Sequence, residues 1–260
     1  MDVKIMVAAH KEFPMPKERE LYLPVLVGAK KNYKPGIDYQ RDDDGENISE
    51  KNPNYNELTA IYWAWKNLNV DAVGLVHYRR FLSKKRKRDL ESILNKQDVE
   101  ELLAKTPIIL PKKRKYYIET NYSHYVHAHH QEPIDVTRKV IVDKYPEYLD
   151  AFDQMMKRTS AHMFNMFVMK KELFDEYAMW LFDILGEVEK QIDISEYSVQ
   201  EARVFGYLAE RLMDVWILTN GFNYTEVNWI QIGKKDTLKK LVNFLKRKFL
   251  KNSAKITHFE

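Results

Sequence analysis

The stretch DGENISEKNPNYNELTAIYWAWKNL, Asp44–Leu68, followed two residues later by DAVGLVHYRRFL, Asp71–Leu82, decides how the chain folds. Its first part is a polar loop. Asp44, Asn47, Ser49, Asn52, Asn54 and Asn56 supply short hydrogen-bonding side chains, and Gly45 lets the backbone turn where other residues would be strained. Asn54, just after Pro53, is the expected N-cap of a helix, with Glu57 as the reciprocal partner of a capping box. From there Leu58, Ile61, Tyr62 and Trp65 recur at three- and four-residue spacing, which predicts a helix with one face turned inward. Ala72 to Val76 is a continuous apolar run and predicts a strand buried on both faces. The chain leaves that strand through His77, Tyr78, Arg79 and Arg80.

Ligands of open α/β sheets gather beyond the carboxyl ends of the strands. Two guanidiniums at such a tip can clamp a diphosphate, because each planar fork offers paired donors to anionic oxygens. An exposed strand end with a packed core histidine explains the same residues equally well. Upstream, Val3 to Ala8 predicts a first buried strand with His10 just past its carboxyl end, and Tyr22 to Gly28 a short second one.

Two spaced motifs carry a resemblance. D-x-x-N-I-S-x-K-N-x-x-Y-x-E-L-T-x-x-Y-W-x-W-K-N starts at Asp44, and V-G-L-x-H-Y-R-R-F starts at Val73. Together they resemble the DUF4422 family of bacterial capsular and exopolysaccharide gene clusters, and the likeness runs roughly from Val3 to Ile230. The family is associated with glycosyl transfer, in some members from UDP-galactofuranose. The resemblance implies an α/β fold with a GT-A-like (Rossmann-like) mixed sheet flanked by helices, one domain over residues 1–233, and a C-terminal helical extension over 234–260. It implies a hexosyltransferase that takes a UDP-sugar, first galactofuranosyl or galactosyl, to a lipid-linked capsular or exopolysaccharide acceptor. The donor would meet His10, Asp44, Asn47, Ser49, Asn52, Glu57, His77, Arg79 and Arg80. The competing expectation is a non-catalytic protein that binds polysaccharide or another polyanion.

Asp42-Asp43-Asp44 resembles the metal-binding D-x-D of many glycosyltransferases, yet HYRR occupies the strand end where that motif belongs. A departing nucleoside diphosphate must be neutralised by a divalent cation or by placed cationic side chains. Arg79 and Arg80 are expected to do this with no metal, Mn²⁺ or Mg²⁺ being the alternative.

The remaining sequence adds acceptor and base candidates. ETNYSHYVHAHH, Glu119–His130, crowds four histidines together without the helical spacing of a zinc site. It reads as an acceptor loop in which Asn121, Tyr122, Tyr125 and His127 offer flat rings and hydrogen bonds to sugar hydroxyls. His162 and Asn165 interrupt an apolar run from Met163 to Met169 that predicts a central strand, and buried polar groups there need partners or a cavity. His162 is a catalytic candidate and Asn165 an acceptor contact. Helices are expected over Leu90 to Ala104, Ile134 to Tyr145, Tyr148 to Arg158, Lys171 to Leu185 and Val199 to Leu218, the last stopped by Asn220-Gly221. In that last helix Glu201, Arg203, Glu210 and Arg211 are the ionisable candidates; a transfer to a hydroxyl needs a carboxylate to receive its proton, and Glu210 is the expected general base because its segment G-Y-L-A-E-R belongs to the resemblance.

Composition bounds the setting. There is no cysteine among 260 residues, which excludes disulfides and thiolate metal sites and suits a reducing cytoplasm. No secretory signal is legible before His10, and no run approaches the roughly eighteen apolar residues of a membrane span. The net charge of +4 belongs to the tail, where Lys234 to Lys251 carries eight Lys or Arg against one Asp. There Leu238, Leu241, Val242, Leu245 and Phe249 share one face of an expected cationic amphipathic helix, suited to the anionic inner surface of the plasma membrane. KKRKR at Lys84–Arg88 and KKRK at Lys112–Lys115 read as solvated loops; with no stacking motif beside them, nucleic acid is not an expected partner.

Overall fold

The computed structural model describes residues 1–233. The amphipathic tail expected beyond Gly233 lies outside the described residues.

The chain opens with β1 (Val3–Ala9) and β2 (Tyr22–Leu26), then a one-turn helix α1 (Ala29–Asn32) and the short β3 (Gln40–Arg41). After the polar loop come α2 (Asn52–Tyr55), α3 (Leu58–Asn67), and the hairpin of β4 (Ala72–His77) and β5 (Arg80–Ser83). Next are α4 (Lys96–Leu103), β6 (Ile108–Pro111), β7 (Arg114–Lys115), α5 (Asn121–Ala128), α6 (Glu132–Lys144) and α7 (Leu149–Lys157). The chain continues with β8 (Ser160–Ala161), β9 (Phe167–Lys170), α8 (Lys171–Glu189), α9 (Val204–Asn220) and β10 (Tyr224–Gln231).

The large sheet is mixed, as expected, and has two parts. In the first, β3, β2, β1 and β4 run parallel, with β1 in the middle and Ile5 opposite both Tyr22 and Gly74. The second part starts at the free edge of β4. Its first residues pair antiparallel with β9, Ala72 opposite Lys170, while its last residue, His77, turns back to face Arg80 of β5. β5 then pairs antiparallel with β10, β10 parallel with β6, and β6 antiparallel with β9. The ladder β4-β5-β10-β6-β9 therefore returns to β4, a closed circuit of five strands.

Gly74 sits where the two parts meet. A Cβ there would lie 2.8 Å from Val168 Cγ2 and 2.9 Å from the Phe167 carbonyl, so only glycine lets β9 close on β4. Helices α8 and α9 bury Phe174, Tyr177, Leu181, Leu208, Leu212 and Trp216, the α9 stripe expected from sequence. Gly221 ends α9 in the left-handed conformation at φ 65°, as the Asn-Gly pair foretold.

Several local expectations fail, each for a physical reason. Asn54 does not cap a helix; its amide donates to the Ala202 carbonyl, and the chain reverses instead at Asn56, φ 52°, between α2 and α3. The helix expected from Leu90 begins only at Lys96, because Asn95 and Asp98 form a full capping box there. Ile93, ahead of that cap, bridges to Ser83 instead. The strand expected from Met163 starts at Phe167, since Phe164 and Asn165 both adopt positive φ. The histidine-rich segment is no loop: Thr120 and Ser123 cap it into helix α5. Among the described residues no helix is long and apolar enough to cross a membrane.

Candidate functional site

A cavity of about 330 Å³ opens at the carboxyl ends of β1 and β4. Ala8, Ala9 and His10 form one rim, and the β4–β5 turn brings His77, Tyr78, Arg79 and Arg80 to another. Asn52, Asn56 and Glu57 enter from the α2–α3 junction. Helix α9 closes the far wall with Gly206, Tyr207 and Glu210, preceded by Arg203. These residues recur at helical three- and four-residue spacing, so R-x-x-G-Y-x-x-E projects from one face.

Arg203, Asn56 and Gln200 also line the cavity; the sequence names Arg203 as an ionisable candidate and Asn56 as a polar loop residue but assigns none of the three a site role. Arg203 Nε donates to Asn56 Oδ1 at 2.6 Å, which fixes the guanidinium at the cavity mouth. Gly206 makes the contact possible, because a Cβ there would meet Asn56 Nδ2 at 2.8 Å.

Three guanidiniums, from Arg79, Arg80 and Arg203, and two carboxylates, from Glu57 and Glu210, line the cavity together. Arg80 is held over the Phe164 ring at 4.6 Å, and its buried Nε meets no acceptor among the described residues. Burial lowers its pKa, against the pull of Glu210 and Glu57. The Arg79 carbonyl accepts the Ile232 N–H at 2.8 Å, which ties the turn to the end of β10. His77 Nε2 donates to the Phe164 carbonyl at 2.6 Å, and burial pushes its pKa below the usual value, so the ring is neutral near pH 7.

Burial pushes the Glu210 carboxyl above its ordinary range; Arg211 opposes the shift and Glu57 reinforces it. Glu210 accepts the Phe164 N–H at 3.2 Å. Glu57 accepts from Asn165 Nδ2 at 2.7 Å, and the same amide reaches the Gly206 carbonyl at 3.1 Å. Asn165 thus braces the wall from beneath, and its positive φ is what aims the amide there.

Of the residues expected to touch a donor, His10, Asn52, Glu57, His77, Arg79 and Arg80 line this cavity, whereas Asp44, Asn47 and Ser49 do not. Their loop is organised around Asp42. That fully buried carboxylate accepts the Gly28 and Ala29 N–H groups at 2.7 and 2.9 Å and the Ser49 and Thr59 hydroxyls, each at 2.5 Å. Asn47 bonds to the Asp43 and Gly45 carbonyls, and Asp44 is an exposed partner of Gln40. Of the D-x-D aspartates, Asp42 is thus spent on donors within its own loop and Asp44 stays at the surface, while Asp43 between them is engaged by Arg41 at 2.6 and 2.8 Å; none of the three lines the cavity.

His162 is also set apart from the cavity. Its Nδ1 contacts Asp214 at 2.5 Å and its Nε2 contacts Glu226 at 2.9 Å, a buried tie between α9 and β10. The acceptor candidates on α5 are dispersed. Asn121 bonds to the Met155 and Ser160 carbonyls, Tyr125 is buried under Arg211 at 4.8 Å, and His127 pairs with Glu119 on the surface. Tyr122 alone borders a hollow, a second one of about 460 Å³ between α5, α6 and α7.

Among curated proteins nothing matches. Among solved structures, the apo form of the bifunctional glycosyltransferase WbbM superposes with a TM-score of 0.81 at 31% identity, over 90% of this chain and 46% of that one. The chain thus spans somewhat under half the length of that relative. Residues 4–221 match the domain of unknown function DUF4422, and the protein belongs to that family.

Proposed function

We propose that the protein is a glycosyltransferase that moves a hexosyl group, galactofuranosyl or galactosyl first, from a UDP-sugar to a lipid-linked capsular or exopolysaccharide acceptor. The observation that carries this reading is the cavity at the carboxyl ends of β1 and β4, lined by three guanidiniums and two carboxylates. Membership of the DUF4422 family and similarity to a bifunctional glycosyltransferase support it. The parallel β3-β2-β1-β4 half beside antiparallel β9 supports a GT-A-like sheet.

In this reading Arg79, Arg80 and Arg203 bind the diphosphate. Their bidentate forks neutralise the charge that grows on it as its bond to the anomeric carbon breaks. The acceptor hydroxyl oxygen forms the new bond to that carbon, and its proton passes to Glu210. A carboxylate whose proton affinity is raised by burial is a better base than an ordinary one. Glu57, held by Asn165, hydrogen-bonds the donor sugar. The neutral His77 fixes the Phe164 backbone and takes no proton. This reading routes no step through a metal, since the aspartates Asp42 to Asp44 lie outside the cavity and the three guanidiniums are taken to carry the charge.

A UDP-release assay with a panel of UDP-sugars tests the reading. Turnover is expected with at least one donor and to persist in EDTA. Tight donor binding with no release for any sugar would favour the non-catalytic alternative. Loss on chelation that manganese restores would overturn the arginine mechanism.

A further inference from the structure

Arg211 follows Glu210 on α9 and is 3% exposed, yet it does not line the cavity. A guanidinium does not shed its proton inside a protein, so a buried one needs a negative charge at hand. Consecutive residues of a helix do not face each other. Arg211 reaches its neighbour because its side chain folds back along α9. There Nη1 donates to the Tyr207 carbonyl, one turn earlier, at 2.7 Å, and lies 3.7 Å from Glu210 Oε2. The Tyr125 ring covers the guanidinium at 4.8 Å, and no other carboxylate among the described residues forms an ion pair with it.

Glu210 is therefore held at both oxygens. Oε1 accepts the Phe164 N–H at 3.2 Å and Oε2 faces Arg211, while Glu210 itself belongs to the cavity wall. At 3.7 Å the Arg211 contact is too long for a hydrogen bond and acts through charge. Three further charges bear on Glu210: Glu57 from the α2–α3 junction opposes its ionisation, while Arg114 on β7 and Arg80 on β5 favour it. Arg211 has the largest effect of the four. Arg80 lines the cavity and, on the proposed reading, is neutralised by the donor's diphosphate. Arg211 lies outside the lining and keeps its charge for Glu210 throughout.

We propose that Arg211 is a positioning residue for the transfer: it keeps Glu210 ionised and turned toward the acceptor hydroxyl while the donor occupies the arginines of the cavity. The role in transfer rests on the glycosyltransferase reading; the pairing of the two buried charges does not.

Four variants test it: Arg211→Met, which keeps an apolar stem and removes the charge, Arg211→Lys, Glu210→Gln, and Arg211→Met combined with Glu210→Gln. Urea denaturation followed by circular dichroism tests the pairing with no substrate present. Without Arg211 the proton affinity of Glu210 rises further. Stability of the Met variant should then be full below the ordinary carboxylate range and be lost as pH rises above it. At pH 7 its midpoint should fall below that of the wild type, and the double variant should recover part of the loss, because no stranded charge remains. If the Met variant does not fold at pH 7, the double variant should. A double variant no more stable than Arg211→Met would overturn the proposal.

The UDP-release assay across pH tests the role in transfer. In Arg211→Met the acid limb of kcat should move to higher pH, with kcat at pH 7 falling about tenfold for each unit of displacement and recovering in alkali. Arg211→Lys, which keeps the charge, should hold the limb near its wild-type position, and UDP affinity by calorimetry should stay within a few-fold throughout. Loss of kcat by one factor at every pH, with the limb unmoved, would make Arg211 merely structural and overturn the proposal. Absence of turnover with every UDP-sugar would sink the glycosyltransferase reading and with it the role in transfer, while the denaturation series would still decide whether the two charges are paired.

Discussion

In the proposed mechanism the chemistry turns on residues whose charge is set by burial. Glu210→Gln keeps the shape of the wall and the Phe164 contact but cannot take a proton, so kcat should fall about 10²- to 10⁴-fold. UDP affinity, measured by calorimetry, should stay within a few-fold; near-normal turnover would remove Glu210 as base. Because burial raises its pKa, the acid limb of the kcat/KM profile should lie at higher pH than for an ordinary carboxylate, and the Gln variant should lack that limb. A second residue governs stability. His124 donates Nδ1–H to Glu119 and stacks on Tyr116 with centroids 4.0 Å apart. Burial, aided by Arg211 and Arg114 and opposed by Glu119, lowers its pKa to about 4. As pH falls from about 6.5 toward 4 the unfolded chain takes up a proton that the folded one refuses, so stability is full above that window and is lost across it, by about 3 kcal/mol. His124→Phe should flatten that part of a denaturation-versus-pH curve; an unchanged slope would sink the assignment. Arg79, Arg80 and Glu57 could be singled out from sequence because they stand at strand and helix ends inside distinctive motifs, and Glu210 because the segment around it belongs to the resemblance. Arg203 is visible as an ionisable residue on Glu210's face, but its place at the cavity could not be read, since that depends on Gly206 admitting Asn56 from a segment about 150 residues away.

Elements with a single strong period were readable. The continuous apolar runs of β1 and β4 and the three- and four-residue stripes of α3, α8 and α9 are dictated by side chains within each element. Helix α5 was misread because its residues are mostly polar and its stability comes from the Thr120–Ser123 capping box and from packing Tyr125 inward. The circuit of five strands was beyond reach for another reason: pairing between β5, β10 and β6 joins segments more than a hundred residues apart, and no local pattern encodes such partners. One glycine reports on that closure. Gly74→Ala must push apart β4 and β9 at a backbone contact, so it should cost about 1 to 3 kcal/mol by chemical denaturation despite alanine's otherwise mild effect. A stability equal to the wild type would mean that β9 does not approach β4 as closely as the structure has it.

Across the molecule a single contiguous core links the parallel half, the strand circuit and helices α3, α6, α8 and α9, with no cleft dividing it into separately packed units among the described residues. Such a core should melt as one unit, so tryptophan fluorescence and far-ultraviolet ellipticity should report the same transition midpoint. UDP, binding only the folded form, should raise that midpoint: a concentration a hundredfold above its Kd adds about 2.7 kcal/mol, several degrees for a protein of this size. Two separated transitions, or no shift with UDP, would contradict the common core or the nucleotide site respectively. The position of β10 carries one more implication. It is the last described strand, yet it sits between β5 and β6, contributes Gln231 to the cavity and gives Arg79 its backbone partner. A chain emerging from the ribosome therefore displays two unsatisfied strand edges until residues 224–231 are synthesised, and the arginine turn cannot set before then. On the proposed reading, competence to bind a donor waits on residues 224–231, so a fragment that stops short of them is expected to be inert and not half-active.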